Sequence, residues 1–445
     1  MPGALSGVRG FWPVVTIPRI VTGEPPAWLT AHTARNMHEV GPSATTLREW
    51  HDAGLTLPDV DRMRIERLAR VWAELQAAGC DAAILYDPLN IRYAVDTTNM
   101  SIWTMHNDVR FVTVNSDGPV IAYEYSNGEF LSLHNGCIDE VRPARSCHPF
   151  YTGDRLEEVV AIWADEVLAA IRPHAISGGL RVAIDRLTLP CIRALEARGA
   201  ELVFAQPLME RARLIKTADE IAAMRLACHS CDLIVAEMRE ALRPGMTEVE
   251  LWSLLHVGNW ERFGEWVETR LLASGERTNP WYQEASSKII RDGELLAFDT
   301  DLVGAYGMCV DISRTWLCGD GAASPAQRDI YARALDSVES NIDLFRPGVS
   351  YREITEALVY PPVEEFNGYT VMAHGVGLCD EYPSIYNRES WADHGYDGVI
   401  EVGNIISVEA FVGRRDGGEG VKLEQQILVT DSGPELLSHA PLGLT

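Results

Sequence analysis

A nine-residue segment recurs in the second half of the chain and limits what that half can fold into. RPGMTEVEL at 243–251 and RPGVSYREI at 346–354 agree in residue type at most positions. Each joins a Pro-Gly turn to a helix start, with Thr247 and Glu250, then Ser350 and Glu353, at capping-box spacing. Two copies so far apart predict two similar α+β halves packed about a pseudo-two-fold axis. A further capping box, Thr217 to Glu220 in RLIKTADEIAAMRLA, signals that this unit opens near residue 206.

Upstream the pattern is different. Ile65, Leu68, Trp72 and Leu75 recur at helical spacing before Gly79, and AAILY at 82–86 follows as a strand. FVTV and VIAYEY flank an Asp117-Gly118 turn and predict a hairpin. Leu156, Val159, Val160, Trp163 and Val167 form a helical stripe, and RVAID at 181–185 reads as another strand. Alternating strands and helices predict an α/β domain over 61–205, ahead of the catalytic α+β domain over 206–445. Residues 1–60 mix Pro, Thr, His and Trp without period and are expected to form an arm or cap.

The chain has 445 residues, 47% of them hydrophobic, which suffices for two or three domains with their own cores. Its formal net charge of -26 repels phosphate and anionic lipid, so neither nucleic acid nor a membrane surface is an expected partner. No apolar run reaches the roughly 18 residues that span a bilayer, and the N-terminus lacks the form of a signal peptide. Nine cysteines spread from Cys80 to Cys379 fit reduced thiols in a cytoplasmic protein. Cys228 and Cys231, inside a helical pattern with no second pair, fit a buried structural role better than a zinc site.

The chemistry concentrates in a few residues. ELLAFDTD ends in Asp299 and Asp301, whose spacing of two places both carboxylates on one face of a strand. Asp311 lies in the strand candidate MCVDISRTW, His374 in MAHGVGL, Glu409 in IISVEAF and Glu424 in VKLEQQILV. Glu409 and Glu424 interrupt apolar strand patterns, and buried carboxylates without partners are costly. Two divalent cations would resolve that cost. Five carboxylates and one imidazole form a hard, oxygen-rich set suited to Mn, Fe, Co or Zn.

RLIKTADEI, DTDLVGAYGMCVDISRTW, HGVGL, VEAF and KLEQQILV resemble the pita-bread metallohydrolase clan, which includes methionine aminopeptidase, prolidase, Xaa-Pro aminopeptidase and creatinase. The resemblance implies a creatinase-like N-terminal α/β domain followed by a pita-bread α+β domain. It also implies Asp301, Asp311, His374, Glu409 and Glu424 as metal ligands. Two departures argue against peptide hydrolysis. Peptidases of the clan place a second His seven residues after the first, in a pattern like HGIGLEVHE, whereas HGVGLCDEYP carries Asp380 one residue early. An ionised Asp cannot donate a hydrogen bond to an oxyanion. A substrate-binding His is likewise missing, since SGERTNPWYQ offers Trp281 and Tyr282.

Asp299 ahead of the usual pair, HGVGLCDEYP, NPWYQE, FDTDLVGAYG and DPLNIRYAVDTTNM resemble one branch of the clan, the dimethylsulfoniopropionate lyases of the DddP type. That resemblance implies elimination of dimethyl sulfide from a small zwitterion, leaving acrylate, with two metal ions and iron as the metal. Asp380 is then the general base, and with an ordinary pKa of about 3.9 it needs burial or neighbouring carboxylates to strengthen it. A sulfonium has no hydrogen to donate, so aromatic faces and negative charge must recognise it. Tyr369, Trp103, Trp281 and Trp391 are the candidate cage. Arg110, in SIWTMHNDVRF, resembles a region that creatinase-like dimers contribute to the neighbouring subunit's site, which implies a homodimer.

Overall fold

Short runs of small and β-branched residues make the centre of the first sheet. The computed structural model describes residues 19–20, 40–176 and 178–444, so most of the expected arm lies outside the described residues. The strands are β1 (Arg19–Ile20), β2 (Ala82–Leu85), β3 (Phe111–Asn115), β4 (Val120–Glu124), β5 (Glu140–Pro143), β6 (Leu180–Ile184) and β7 (Ala200–Phe204). They lie in the order β1-β5-β4-β3-β2-β6-β7. β3 and β4 form the antiparallel hairpin about Asp117-Gly118, while β2, β6 and β7 run parallel. β2, β3 and β4 are buried along their whole length. The helix Leu156–Ile171 covers the sheet with Val160, Trp163, Val167 and Ile171, which share one core with Ile84, Phe111 and Val182.

Two compact units result, 67–208 and 40–66 together with 209–444. Residues 40–66, expected to finish the arm and begin the first domain, therefore belong to the second unit. Trp50 is the reason: it is 1% exposed, and its indole N–H donates to Ser230 Oγ at 3.0 Å. Arg62 adds a paired contact to Asp219, with Nη2 to Oδ1 at 2.8 Å. No helix among the described residues is long and apolar enough to cross a membrane.

The second unit contains β8 (Trp266–Val267), β9 (Leu272–Ser274), β10 (Leu295–Asp299), β11 (Leu302–Val303), β12 (Cys309–Val310) and β13 (Ser313–Leu317). It continues with β14 (Phe366–Asn367), β15 (Val371–Val376), β16 (Asp380–Tyr386), β17 (Ile405–Arg414), β18 (Gly420–Thr430) and β19 (Gly433–Leu436). Two three-stranded sheets, β13-β10-β9 and β12-β11-β8, accompany a larger one ordered β16-β15-β17-β18-β19, with β14 on β17.

The sequence repeat becomes a repeat of hydrogen bonds. Thr247 and Ser350 cap the helices Glu248–Glu261 and Tyr351–Ala357 with complete capping boxes. Gly245 N–H donates to Ile290 O at 2.9 Å, and Gly348 N–H to Ile400 O at 2.8 Å. Ile290 and Ile400 return bonds to Met246 and Val349, and Glu248 and Tyr351 reach Lys288 and Gly398 in the same way. Each copy thus clips to its own partner segment through an isolated antiparallel bridge, Thr247 to Ile289 and Ser350 to Val399, giving the two related halves.

Two expectations about strands need correction. Asp299 closes β10, but Asp301 lies beyond it with φ of 35°, so the pair does not share one strand face. MCVDISRTW is not one strand either, because it breaks between β12 and β13 at Asp311 and Ile312. The Thr300 hydroxyl causes the break: it donates to Val310 O at 2.8 Å and accepts from Ile312 N–H at 3.0 Å, replacing ladder bonds.

Gly245 and Gly348 have φ of 96° and 86° with open space where a Cβ would stand. Gly245→Ala and Gly348→Ala should therefore each cost about 1–2 kcal/mol from backbone strain alone. Chemical denaturation would read both, and a markedly unequal pair of losses would contradict the equivalence of the two turns.

Candidate active site and metal centre

Sheet register assembles the acidic residues. Glu409 of β17 stands directly opposite Glu424 of β18, His374 of β15 opposite Ser407 of β17, and Asp299 of β10 opposite Ser313 of β13. Asp311 enters from the gap that Thr300 opens, its backbone N–H held by Gln426 Oε1 at 3.0 Å and its carbonyl by Ser407 Oγ at 3.0 Å. His374 Nε2 then lies 3.3 Å from Asp311 Oδ2, 3.6 Å from Glu424 Oε1 and 3.9 Å from Glu409 Oε1. Its Nδ1 is 3.1 Å from Gly375 O. With Nδ1–H donating there, the Nε2 lone pair faces the carboxylates, the tautomer a metal ligand requires.

A residue outside the expected set anchors the cluster. Lys422, fully buried, places Nζ 3.1 Å from Asp299, 2.9 Å from Glu409 and 2.8 Å from Glu424. Its position two residues before Glu424 puts both side chains on one face of β18, and that spacing was available in VKLEQQILV. Ser313 Oγ donates to Glu424 at 2.8 Å.

These donors fit two cations. Potential ligand atoms of His374, Glu409 and Glu424, and of Asp299, Asp311 and Glu424, lie within 4.8 Å of one another. Asp299 Oδ1, Asp311 Oδ1 and Glu424 Oε1 are buried without a hydrogen-bond donor among the described residues. Such oxygens are costly unless a cation meets them. Two divalent ions with the Lys422 ammonium would balance the five carboxylates. Asp301 stands at the margin, its Oδ2 held by Thr269 Oγ1 at 2.7 Å.

The protonation pattern reports the same crowding. Burial, partly offset by Lys422, raises Asp299 to about 6. Burial and the Asp299 charge raise Asp301 to about 8, and burial raises Glu409 to about 8 against the pull of Lys422. Burial and the neighbouring carboxylates Glu424, Asp301 and Asp299 push Asp311 well up. Glu424 moves down instead: burial opposes its ionisation, but Lys422 and His374 prevail.

Asp380 is the first residue of β16, brought back beside His374 by a tight return. Its carboxylate is 3.7 Å from His374 Nδ1, and 58% of the side chain is exposed, so burial does not enclose it. The return requires bare backbone, because a Cβ on Gly375 would collide with Tyr382 O and one on Gly377 with the Glu381 carboxylate. Glu381 is itself clamped by Lys216 Nζ at 2.8 Å, Arg213 Nε at 3.1 Å and Leu378 N–H at 3.0 Å.

The cluster opens into a cavity of about 850 Å³ whose lining includes Asp380, Glu268, Tyr282, Tyr369 and the clustered carboxylates, and among the described residues includes no Lys or Arg. Glu268 reaches solvent through this cavity, yet its walls and the nearby Asp380 charge raise it to about 7 against a bond from Trp266.

Of the expected aromatic cage, Tyr369 lines the cavity. Trp281 is 5% exposed and stacks on Phe411 behind it, with centroids 6.0 Å apart. Trp391 packs beside the Tyr351 core with Arg352 4.9 Å from its ring. Trp103 meets Tyr125 in the first unit. Arg110, expected to serve a neighbouring subunit, is 5% exposed and committed to Glu124 at 2.5 Å and Thr97 at 2.9 Å. Tyr282, which stacks on Tyr369 with centroids 5.5 Å apart, supplies the unexpected second ring.

Residues 222–431 match metallopeptidase family M24, and 67–215 match the creatinase/prolidase N-terminal domain. A dimethylsulfoniopropionate lyase DddP of Roseovarius nubinhibens is 42% identical over 91% of this chain and 92% of its own length. The lyase of that name from Roseobacter denitrificans is 39% identical over the same shares. The Xaa-Pro dipeptidase of Bacillus anthracis superposes with a TM-score of 0.69 at 21% identity, covering 86% of this chain and 99% of the dipeptidase, which establishes the pita-bread fold.

In the metal-free protein, folded Asp299, Asp301 and Glu409 hold protons more tightly than the ordinary values of 3.8 and 4.5. Their contribution to stability is full below those values and is lost as pH rises through about 6 to about 8. Chelation should thus lower the melting temperature more at about pH 8 than at about pH 5. Calorimetry with and without chelator measures this, and equal drops would contradict the assignment.

Proposed function

The chain belongs to the DddP family of dimethylsulfoniopropionate lyases, and we propose that it cleaves this zwitterion to dimethyl sulfide and acrylate by metal-assisted β-elimination. One observation carries the reading. Asp380 is an acceptor-only carboxylate, open to the cavity and 3.7 Å from the imidazole of His374. A hydrolase needs a donor there to meet an oxyanion, while an elimination needs an acceptor for a proton.

The C2 proton moves to the Asp380 carboxylate, and the C–H electron pair becomes the C2–C3 double bond. The C3–S pair leaves with sulfur, so the sulfonium departs as neutral dimethyl sulfide. Asp380 then returns its proton to water, which its exposure allows. Two divalent ions held by Asp299, Asp301, Asp311, His374, Glu409 and Glu424, iron in our reading, would supply positive charge against the charge developing on the substrate carboxylate. The Glu381 clamp anchors the start of β16, where Asp380 stands opposite Val376 and 3.7 Å from the His374 ring. Tyr369 and Tyr282 form an aromatic wall beside the substrate.

Purified enzyme loaded with iron should release dimethyl sulfide into the headspace, measured by gas chromatography. Asp380→Asn should lower the rate by about 10²–10⁴-fold while elemental analysis finds its metal content unchanged. A metal-loaded enzyme that releases no sulfide but frees amines from dipeptides would be a hydrolase, and the lyase reading would fail.

A further inference from the structure

We infer that Glu268 is the specificity-determining counter-charge for the cationic centre of the substrate, and so fixes which end of a zwitterion faces the metal ligands. The inference rests on the lyase reading above. Its basis is the charge balance of the cavity wall. Glu210 pairs with Arg213 at 2.6 Å, Glu284 with Arg270 at 2.6 Å, and Glu381 with Lys216 and Arg213. Asp299, Glu409 and Glu424 face Lys422, Asp311 faces His374, and Asp301 accepts from Thr269. Apart from the metal ligands and Asp380, which the elimination uses as its base, Glu268 is the lining carboxylate with no Lys or Arg partner among the described residues.

Its place is also specific. The Glu268 backbone N–H donates to Asp301 O at 2.9 Å, which seats it beside the ligand cluster, and its side chain lies close to Asp380. Lys422 Nζ sits 4.9 Å from the centroid of Tyr369, so that ring serves a resident cation, and a sulfonium brought there would meet like charge. A zwitterion therefore lies with its carboxylate toward the metal ligands and Lys422, and its onium group toward Glu268. In the substrate the sulfur is bonded to C3, next to the C2 that gives its proton to Asp380. A carboxylate adjacent to Asp380 is thus where the positive charge arrives.

The kinetic consequence is distinctive. The sulfonium loses its charge as the C–S bond breaks, so Glu268 stabilises the bound substrate more than the transition state. Glu268→Gln should raise KM by about tenfold and leave kcat unchanged or slightly higher. Loss of a proton relay would instead lower kcat at constant KM, and that result would overturn the inference.

A binding experiment on the metal-loaded enzyme separates charge recognition from packing. Titration calorimetry would compare 3-(trimethylammonio)propanoate with 4,4-dimethylpentanoate, its uncharged carbon isostere. The wild type should prefer the cation by about tenfold or more, Glu268→Gln should bind the two alike, and Glu268→Asp should retain part of the preference. An unchanged preference in folded, metal-loaded Glu268→Gln would sink the proposal. A wild type that prefers the cation but releases no dimethyl sulfide would refute the lyase reading and leave this one standing.

Discussion

Five carboxylates gathered from buried strands and the breaks between them repel one another, and the second unit must hold them together against that repulsion. Glu409 and Glu424 face each other across β17 and β18, a like-charged pair that weakens a sheet on its own account. Lys422 opposes this from the same face of β18, with three carboxylates within 3.1 Å of its ammonium. Burial alone would discharge that lysine; instead the surrounding anions hold its pKa well above the ordinary value. One ammonium cannot balance the whole cluster, which is why buried oxygens remain without donors and why the site calls for metal.

Much of this was legible in the sequence because cost leaves a mark. A glutamate inside IISVEAF or VKLEQQILV violates the apolar pattern of a buried strand, and the violation marks a residue of the buried acidic cluster. The repeat was legible because a Pro-Gly turn and a capping box are local devices, fully specified by adjacent residues. What stayed hidden depends on partners distant in sequence. The turn at Asp301 and the break at Asp311 both follow from packing around Thr300, whose hydroxyl competes with the strand ladder. Trp50 joins the second unit through Ser230, 180 residues away. Tryptophans near the motifs suggested a cage, yet Trp281 and Trp391 serve cores, the commoner fate of a large ring.

The fold and the chemistry separate cleanly. The same backbone carries Xaa-Pro dipeptidases at 21% identity, so the arrangement of sheets does not determine the reaction. The cavity wall of this chain presents carboxylates, and among the described residues that line it there is no Lys or Arg. Such a wall favours a ligand that brings its own positive charge.

The return between β15 and β16 has a wider consequence. His374 and Asp380 are six positions apart, and the path between them is fixed by two glycines and by a glutamate clamped from below. His374 and Asp380 are therefore one mechanical part. The aim of the side chain at position 380 is thus set by the backbone path of the return and the clamp on its neighbour.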